Sequence, residues 1–275
     1  MGGTQEAGDV FIPQGGSPEE AWRSVTHLGI GAHPDDLEFM AFHGIEACRR
    51  GEGKFGGIVV TDGAGSVRGQ GEDVAELRAR RSEEQRNAAE IGGYAVMLQL
   101  GLTSSEAMRR GNPVLTEALT KIFHVAKPGV VYTHNPADRH DTHVAVSVAV
   151  IEALRGLPKR RRPDKVYGCE VWRDLDWLTG DDRVRLDCGS DEAFAAALIE
   201  VFQSQIGGGK RYDLAVLGRR RAQATFDDPR CPDAAEMVTL AMDLTPLVKD
   251  AGIPIADYVL AAVDRFRADV ARRLT

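Results

Sequence analysis

The sequence predicts an α/β fold, a mostly parallel sheet with helices on both faces. Three observations predict it. Strand-like and helix-like segments alternate along the chain. Hydrophobic residues make up 43% and charged residues 27%, enough to build a sizeable core. The 275 residues lie within the range of one large α/β domain.

In order, residues 25–32 (VTHLGIGA) read as a buried strand and residues 37–50 as a helix ending near Gly51. Residues 55–61 (FGGIVVT) are a second strand, running into a glycine-rich loop at 62–71. Residues 73–91 form a charged amphipathic helix, stopped by Gly92 and Gly93. A short strand at 96–100 precedes a helix at 113–126 with Pro113 near its start. Residues 129–134 (GVVYTH) are a strand, followed by a loop at 135–141 and an apolar helix at 142–154. Strands are expected at 165–171 and 212–218, and helices at 193–202 and 255–274. Residues 1–20 read as a polar lead-in and 21–275 as a single domain.

The net charge of −7 argues against nucleic acid or an anionic membrane as the main partner. No apolar run approaches the ~18 residues that a membrane span needs. The start has neither a basic region nor an apolar stretch, so no signal peptide is expected, and Glu6 spoils a myristoylation pattern. Cys48, Cys169, Cys188 and Cys231 form no Cys-x-x-Cys pair, which disfavours a thiolate zinc knuckle and suits reduced cysteines in the cytoplasm.

Two polar clusters follow two expected strands: Ala32-His33-Pro34-Asp35-Asp36-Leu37-Glu38, and residues 134–143 (HNPADRHDTH). Ligands of parallel α/β sheets bind at the carboxyl ends of strands. His33 and Asp36 are three apart around a strand-to-helix turn, and His140 and His143 are three apart at a helix start. A catalytic zinc wants three nitrogen or oxygen ligands and an open position for water; two histidines and one aspartate supply them. Hydrolysis also needs a carboxylate base, for which Asp35 is placed, and a group facing the oxyanion or leaving group, for which His140 fits.

At these residues the sequence resembles the LmbE-like (PIG-L) deacetylase family. The Ala-His-Pro-Asp-Asp signature stands at 32–36, with Glu38 behind it. The downstream histidine element is His140-Asp141-Thr142-His143. Residues 61–66 (TDGAGS) look like the family's glycine-rich loop and residues 81–84 (RSEE) like its Arg-x-x-Glu helix; the similarity spans roughly residues 25–155. The resemblance implies a Rossmann-like fold and one zinc ion held by His33, Asp36 and His143. Asp35 would be the general base and His140 the oxyanion or leaving-group partner. Arg81, Asp62, Gly65 and Ser66 would contact substrate.

The implied reaction is hydrolysis of an N-acyl group, N-acetyl by expectation, from a small amino-sugar molecule or glycoside by a cytoplasmic homo-oligomer. Alternatives are an amidase on a thiol conjugate or antibiotic intermediate, and a metal- or sugar-binding protein without catalysis. The chain departs from the family twice. Thr142 stands where an Asp orients the preceding His, a role open to Asp141 or Asp138, and Phe202 replaces a histidine before Ser204-Gln205.

His27 and His124 read as packed or surface histidines, and His134 as a supporting residue beside the second cluster. His43 lies on the helix after the first motif. The basic run 159–162 reads as a solvated loop. Trp172 and Trp177 are open to either sugar stacking or local packing.

Overall fold

The computed structural model describes residues 8–66 and 71–275; residues 1–7 of the lead-in and 67–70 of the glycine-rich loop lie outside the described residues. Its strands are β1 (Asp9–Phe11), β2 (His27–Gly31), β3 (Phe55–Thr61), β4 (Val96–Leu102), β5 (Val130–His134), β6 (Lys165–Cys169), β7 (Arg183–Asp187) and β8 (Val238–Asp243). They form one sheet in the order β1-β4-β3-β2-β5-β6-β8-β7. The β4-β3-β2-β5-β6 centre is parallel, while β1, β8 and β7 pair antiparallel at the two sides.

The helices are α1 (Pro18–Ser24), α2 (Asp36–Met40), α3 (Phe42–Arg49), α4 (Val74–Ile91), α5 (Ser104–Met108), α6 (Pro113–Val125), α7 (Asp141–Arg155), α8 (Glu192–Glu200), α9 (Gln203–Ile206), α10 (Tyr212–Thr225), α11 (Thr245–Lys249) and α12 (Ile255–Leu274). Successive strand residues point to opposite faces, so each face carries its own apolar core. Leu28, Ile30, Ile58 and Val131 pack in one, and Val59, Met97 and Tyr132 in the other. Local chemistry sets several helix starts. Asp73 caps α4 by accepting the Glu76 N–H (2.8 Å), with Glu76 returning the bond to the Asp73 N–H. Asn112 accepts the Val114 and Leu115 N–H groups ahead of α6, which begins with Pro113.

Three parts of the chain differ from the expectation. The helix expected at 37–50 is broken at Ala41 into α2 and α3. Arg220 Nη2 donates to the Glu38 and Phe39 carbonyls (2.6 and 3.2 Å), which a continuous helix would offer to the residues four further on. The strand expected at 212–218 is instead the first half of α10: the apolar run continues into the helix formers Arg219–Ala224, and the helix packs on β8 and α8. Within residues 8–20, Asp9–Phe11 pairs with the edge of β4 and α1 begins at Pro18. Finally, β7 and β8, whose pairing is wholly long-range, lie outside the expected strands.

The strand order reverses between β2 and β5, so the loops after these neighbours diverge and leave a crevice. Glycines bring α2 close to the sheet there. Gly29 and Gly57 are register partners. A Cβ at Gly57 would lie 2.8 Å from Leu37 Cδ1, and one at Gly29 would lie 2.8 Å from Phe55 Cζ and 3.0 Å from Leu37 Cδ2. The glycine pair thus forms the groove that seats fully buried Leu37, next to Asp36. Gly57→Ala is expected to cost about 1–3 kcal/mol through overpacking. Chemical denaturation will test this; unchanged stability would mean Leu37 is not wedged.

Candidate metal centre and active-site cleft

The β2 loop turns sharply into α2. Asp35 occupies the left-handed region (φ +96°), where a side chain is strained. Its N–H donates to Gln85 Oε1 (3.0 Å), and Arg81 Nη2 reaches both its Oδ2 (3.1 Å) and the Pro34 carbonyl (2.6 Å). Gln85 in turn donates to Glu38 (2.9 Å), which also accepts the Tyr94 hydroxyl (2.7 Å). The turn is therefore held from α4 and from Tyr94, just ahead of β4, far away in sequence.

That turn aims Asp36 and His33 at one point, and the N-terminal turn of α7 brings His143 to it. His33 Nδ1 lies 3.2 Å from Asp36 Oδ2 and 3.1 Å from His143 Nε2, and His143 Nε2 lies 3.4 Å from the same carboxylate oxygen. The His33 N–H donates to Asp36 Oδ2 (2.6 Å). His134, at the end of β5, places Nε2 3.3 Å from that oxygen and accepts the Ala32 N–H (2.9 Å). His140 joins His33 and His143 in a second possible donor group.

Electrostatics divide the two adjacent aspartates. Burial pushes the Asp35 carboxyl up to about 7, even with Arg81 pulling the other way. Burial would also raise Asp36, but His143 and His134 hold it well below the usual carboxylate range. Burial lowers His143 to about 4, leaving the neutral imidazole that a metal ligand must be. Burial, then His33, also lowers His140.

Asp138 accepts from His143 Nδ1 (3.2 Å) and so orients the histidine expected to bind metal, not His140. Asp141 is exposed, and Thr142 is buried beside His143. Asp138 also accepts the Arg139, Trp172 and Arg173 N–H groups, which ties the β5 and β6 loops together.

A cleft of about 690 Å³ opens over this cluster. His33, Asp35, Asp36, His140, Arg81, Gly65 and Ser66 line it. Asp62 does not; it accepts the Ala64 N–H (2.9 Å) and pairs with Arg78 (2.7 Å), organising the loop. His43 bonds the Tyr132 hydroxyl (2.8 Å) and does not line the cleft. Sequence reasoning missed the far wall, where Tyr212 and Arg219 of α10 join Trp172. The helical spacing of 212, 215, 216 and 219 was the available signal.

Residues 28–154 match the PIG-L family of GlcNAc-PI de-N-acetylases. The uncharacterized deacetylase YaiS of Escherichia coli K12 is 31% identical over 137 residues, covering 48% of this chain and 69% of YaiS. The chain belongs to the PIG-L family. Two of the solved structures that share its fold differ in the chemistry they are named for. One is GalB, the 4-carboxy-2-hydroxymuconate hydratase of Pseudomonas putida KT2440 (TM-score 0.63, 18% identity, 80% of this chain and 95% of that one). The other is the N,N'-diacetylchitobiose deacetylase of Pyrococcus horikoshii (TM-score 0.59, 16% identity, 82% and 86%). A hydratase and a deacetylase on one fold mean that, within the PIG-L fold, chemistry must be argued from the site. Among the described residues, no helix is long and apolar enough to cross a membrane.

If Asp138 fixes the ring of a metal-binding His143, Asp138→Asn will weaken zinc binding by about 10–100-fold. Competition with a chromophoric chelator measures this. Undiminished affinity would limit Asp138 to organising its loop.

Proposed function

We propose that this PIG-L family member is a zinc-dependent hydrolase that removes an N-acyl group, N-acetyl in the simplest case, from a small amino sugar or glycoside. The single observation that carries the reading is the meeting of His33, Asp36 and His143 beside a separate buried carboxylate, Asp35. The donor set fits zinc. Two imidazoles and one carboxylate have atoms 3.1–3.4 Å apart, close to the ~3.4 Å between tetrahedral ligands with zinc bonds of ~2.1 Å. A cytoplasmic location and a homo-oligomeric state belong to the same proposal.

Zinc at these ligands would supply Lewis acidity toward the acyl carbonyl and make water more acidic. The chain's own residues do the rest. Asp35 takes the proton from water as its oxygen attacks the carbonyl carbon, and a value near 7 suits both accepting and returning a proton. Arg81 keeps the Asp35 carboxylate in place from the side. His140, on the cleft wall 4.8 Å from His33 between ring centres, faces the developing oxyanion. When the C–N bond breaks, Asp35 or His140 delivers the proton to the departing nitrogen.

An amidase on a thiol conjugate or an antibiotic intermediate would use the same residues, and substrate profiling separates it. A binding protein without turnover would have no use for a second buried aspartate held in strained backbone beside the first. Asp35→Ala should keep zinc and lose turnover by about 10²–10⁴-fold. Metal content by atomic absorption and amine release from N-acetylglucosamine derivatives are the two readouts. Metal lost together with activity would make Asp35 a ligand instead.

A further inference from the structure

Helix α10 turns one side to the cleft: Tyr212, Ala215, Val216, Arg219 and Arg220 follow the spacing of a single helical face, and all line it. This helix lies outside the residues matched to the family. Arg220 is only 2% exposed, and its Nε and Nη1 are buried without a partner. Arg219 is half-buried and donates to the Val171 carbonyl. Gln205, also on the cleft wall and 7% exposed, has an unpartnered Nε2.

Among the described residues, neither Arg219 nor Arg220 forms an ion pair, although Arg211 and Arg221 on either side do. The acidic group nearest in chemistry is Glu170, which lines the same cleft. It already accepts the Leu240 and Leu175 N–H groups (3.0 and 3.1 Å), and burial pushes it up to about 7. Its charge acts on both Arg219 and Arg220 from a distance, but among the described residues it makes no ion pair with either. Buried donors without acceptors are costly. Arg220 Nη2 is bonded to the Glu38 and Phe39 carbonyls and its guanidinium lies 4.2 Å over Phe42, but its Nε and Nη1 and Gln205 Nε2 remain without acceptors on the wall that also carries Arg219. That combination fits a ligand bringing acceptor oxygens and negative charge.

We propose that the α10 wall, through Arg219 and Arg220, binds an acidic substituent, a carboxylate or a phosphate, carried by the substrate. The identity of that substrate as an N-acyl amino sugar rests on the deacetylase reading; the anion subsite does not. Trp172, with Tyr212 at 6.4 Å and near-perpendicular, supplies an apolar surface beside it for the sugar ring.

The test uses the zinc-loaded protein and three probes: N-acetylglucosamine, N-acetylglucosamine 6-phosphate and N-acetylmuramic acid. Binding of the corresponding deacetylated sugars is measured by calorimetry. We expect kcat/KM for one acid-bearing sugar, and affinity for its amine, to exceed the neutral values at least tenfold. Which sugar wins distinguishes phosphate from carboxylate. In Arg219→Gln that ratio should fall to within about twofold, and in Arg220→Lys, which keeps the charge but loses the fork, it should fall severalfold. Thermal melts check that both variants fold; Arg219, half-buried, is the one on which the proposal stands if Arg220→Lys unfolds. Hydrolysis of all three sugars at similar rates overturns the subsite and leaves the deacetylase reading intact. Tight, Arg219-dependent binding of an acidic amino sugar with no hydrolysis does the reverse. Neither hydrolysis nor preferential binding overturns both.

Discussion

The site depends on one buried charge. Asp36 is 2% exposed, and an ionised carboxylate in such surroundings costs on the order of several kcal/mol unless it is matched. Everything around it supplies the match. The His33 N–H donates to it, and the ring nitrogens of His33, His134 and His143 stand within 3.2–3.4 Å of the same oxygen. These groups come from the ends of two adjacent strands and the start of one helix, so the carboxylate also pins β2, β5 and α7 into one arrangement. Removing a member would leave a buried charge less compensated, a larger penalty than the loss of one contact.

The second constraint is the turn that carries Asp35. A non-glycine residue at φ +96° stores about 1–3 kcal/mol of strain. The structure retains it because Gln85 and Arg81 over-determine the position, and Gln85 is itself fixed by Glu38, a carboxyl that burial pushes up to about 8. Strain and stabilising pull thus act on adjacent residues. One aspartate faces the histidines as an anion; its neighbour points to an arginine, and burial raises its carboxyl above the usual range.

The parallel centre of the sheet and the two site loops were legible because their signals are local. Apolar runs such as 55–61, a capping box at Asp73 and a proline at the start of α6 each work within a few residues. The dense polar clusters after β2 and β5 were legible for the same reason. The rest was written in long-range pairing. β7 and β8 are recognisable only once β6 offers an antiparallel edge, and the carbonyls left free at the Ala41 break are taken by Arg220, 179 positions downstream by residue number. Reading 212–218 as a strand hides α10, which carries two of the arginines that line the cleft. Asp138 was a named alternative for orienting a histidine, but only the folded geometry shows that its histidine is His143.

That last point bears on His140. Without the Asp that Thr142 replaces, and with Asp138 committed to His143, no carboxylate accepts from the His140 ring among the described residues, and its Nδ1 is buried without a partner. What positions the ring is packing: it stacks on His143 (4.6 Å, 17°) and meets Trp172 at 6.1 Å. Burial and then His33 disfavour the charged form of this imidazole and outweigh Asp36 and Asp138, which favour it. In the proposed reaction His140 would therefore meet the oxyanion as a neutral N–H donor rather than as an imidazolium. The burden of moving the proton would then fall on Asp35, the residue whose buried, arginine-braced carboxyl is best suited to hold and return it.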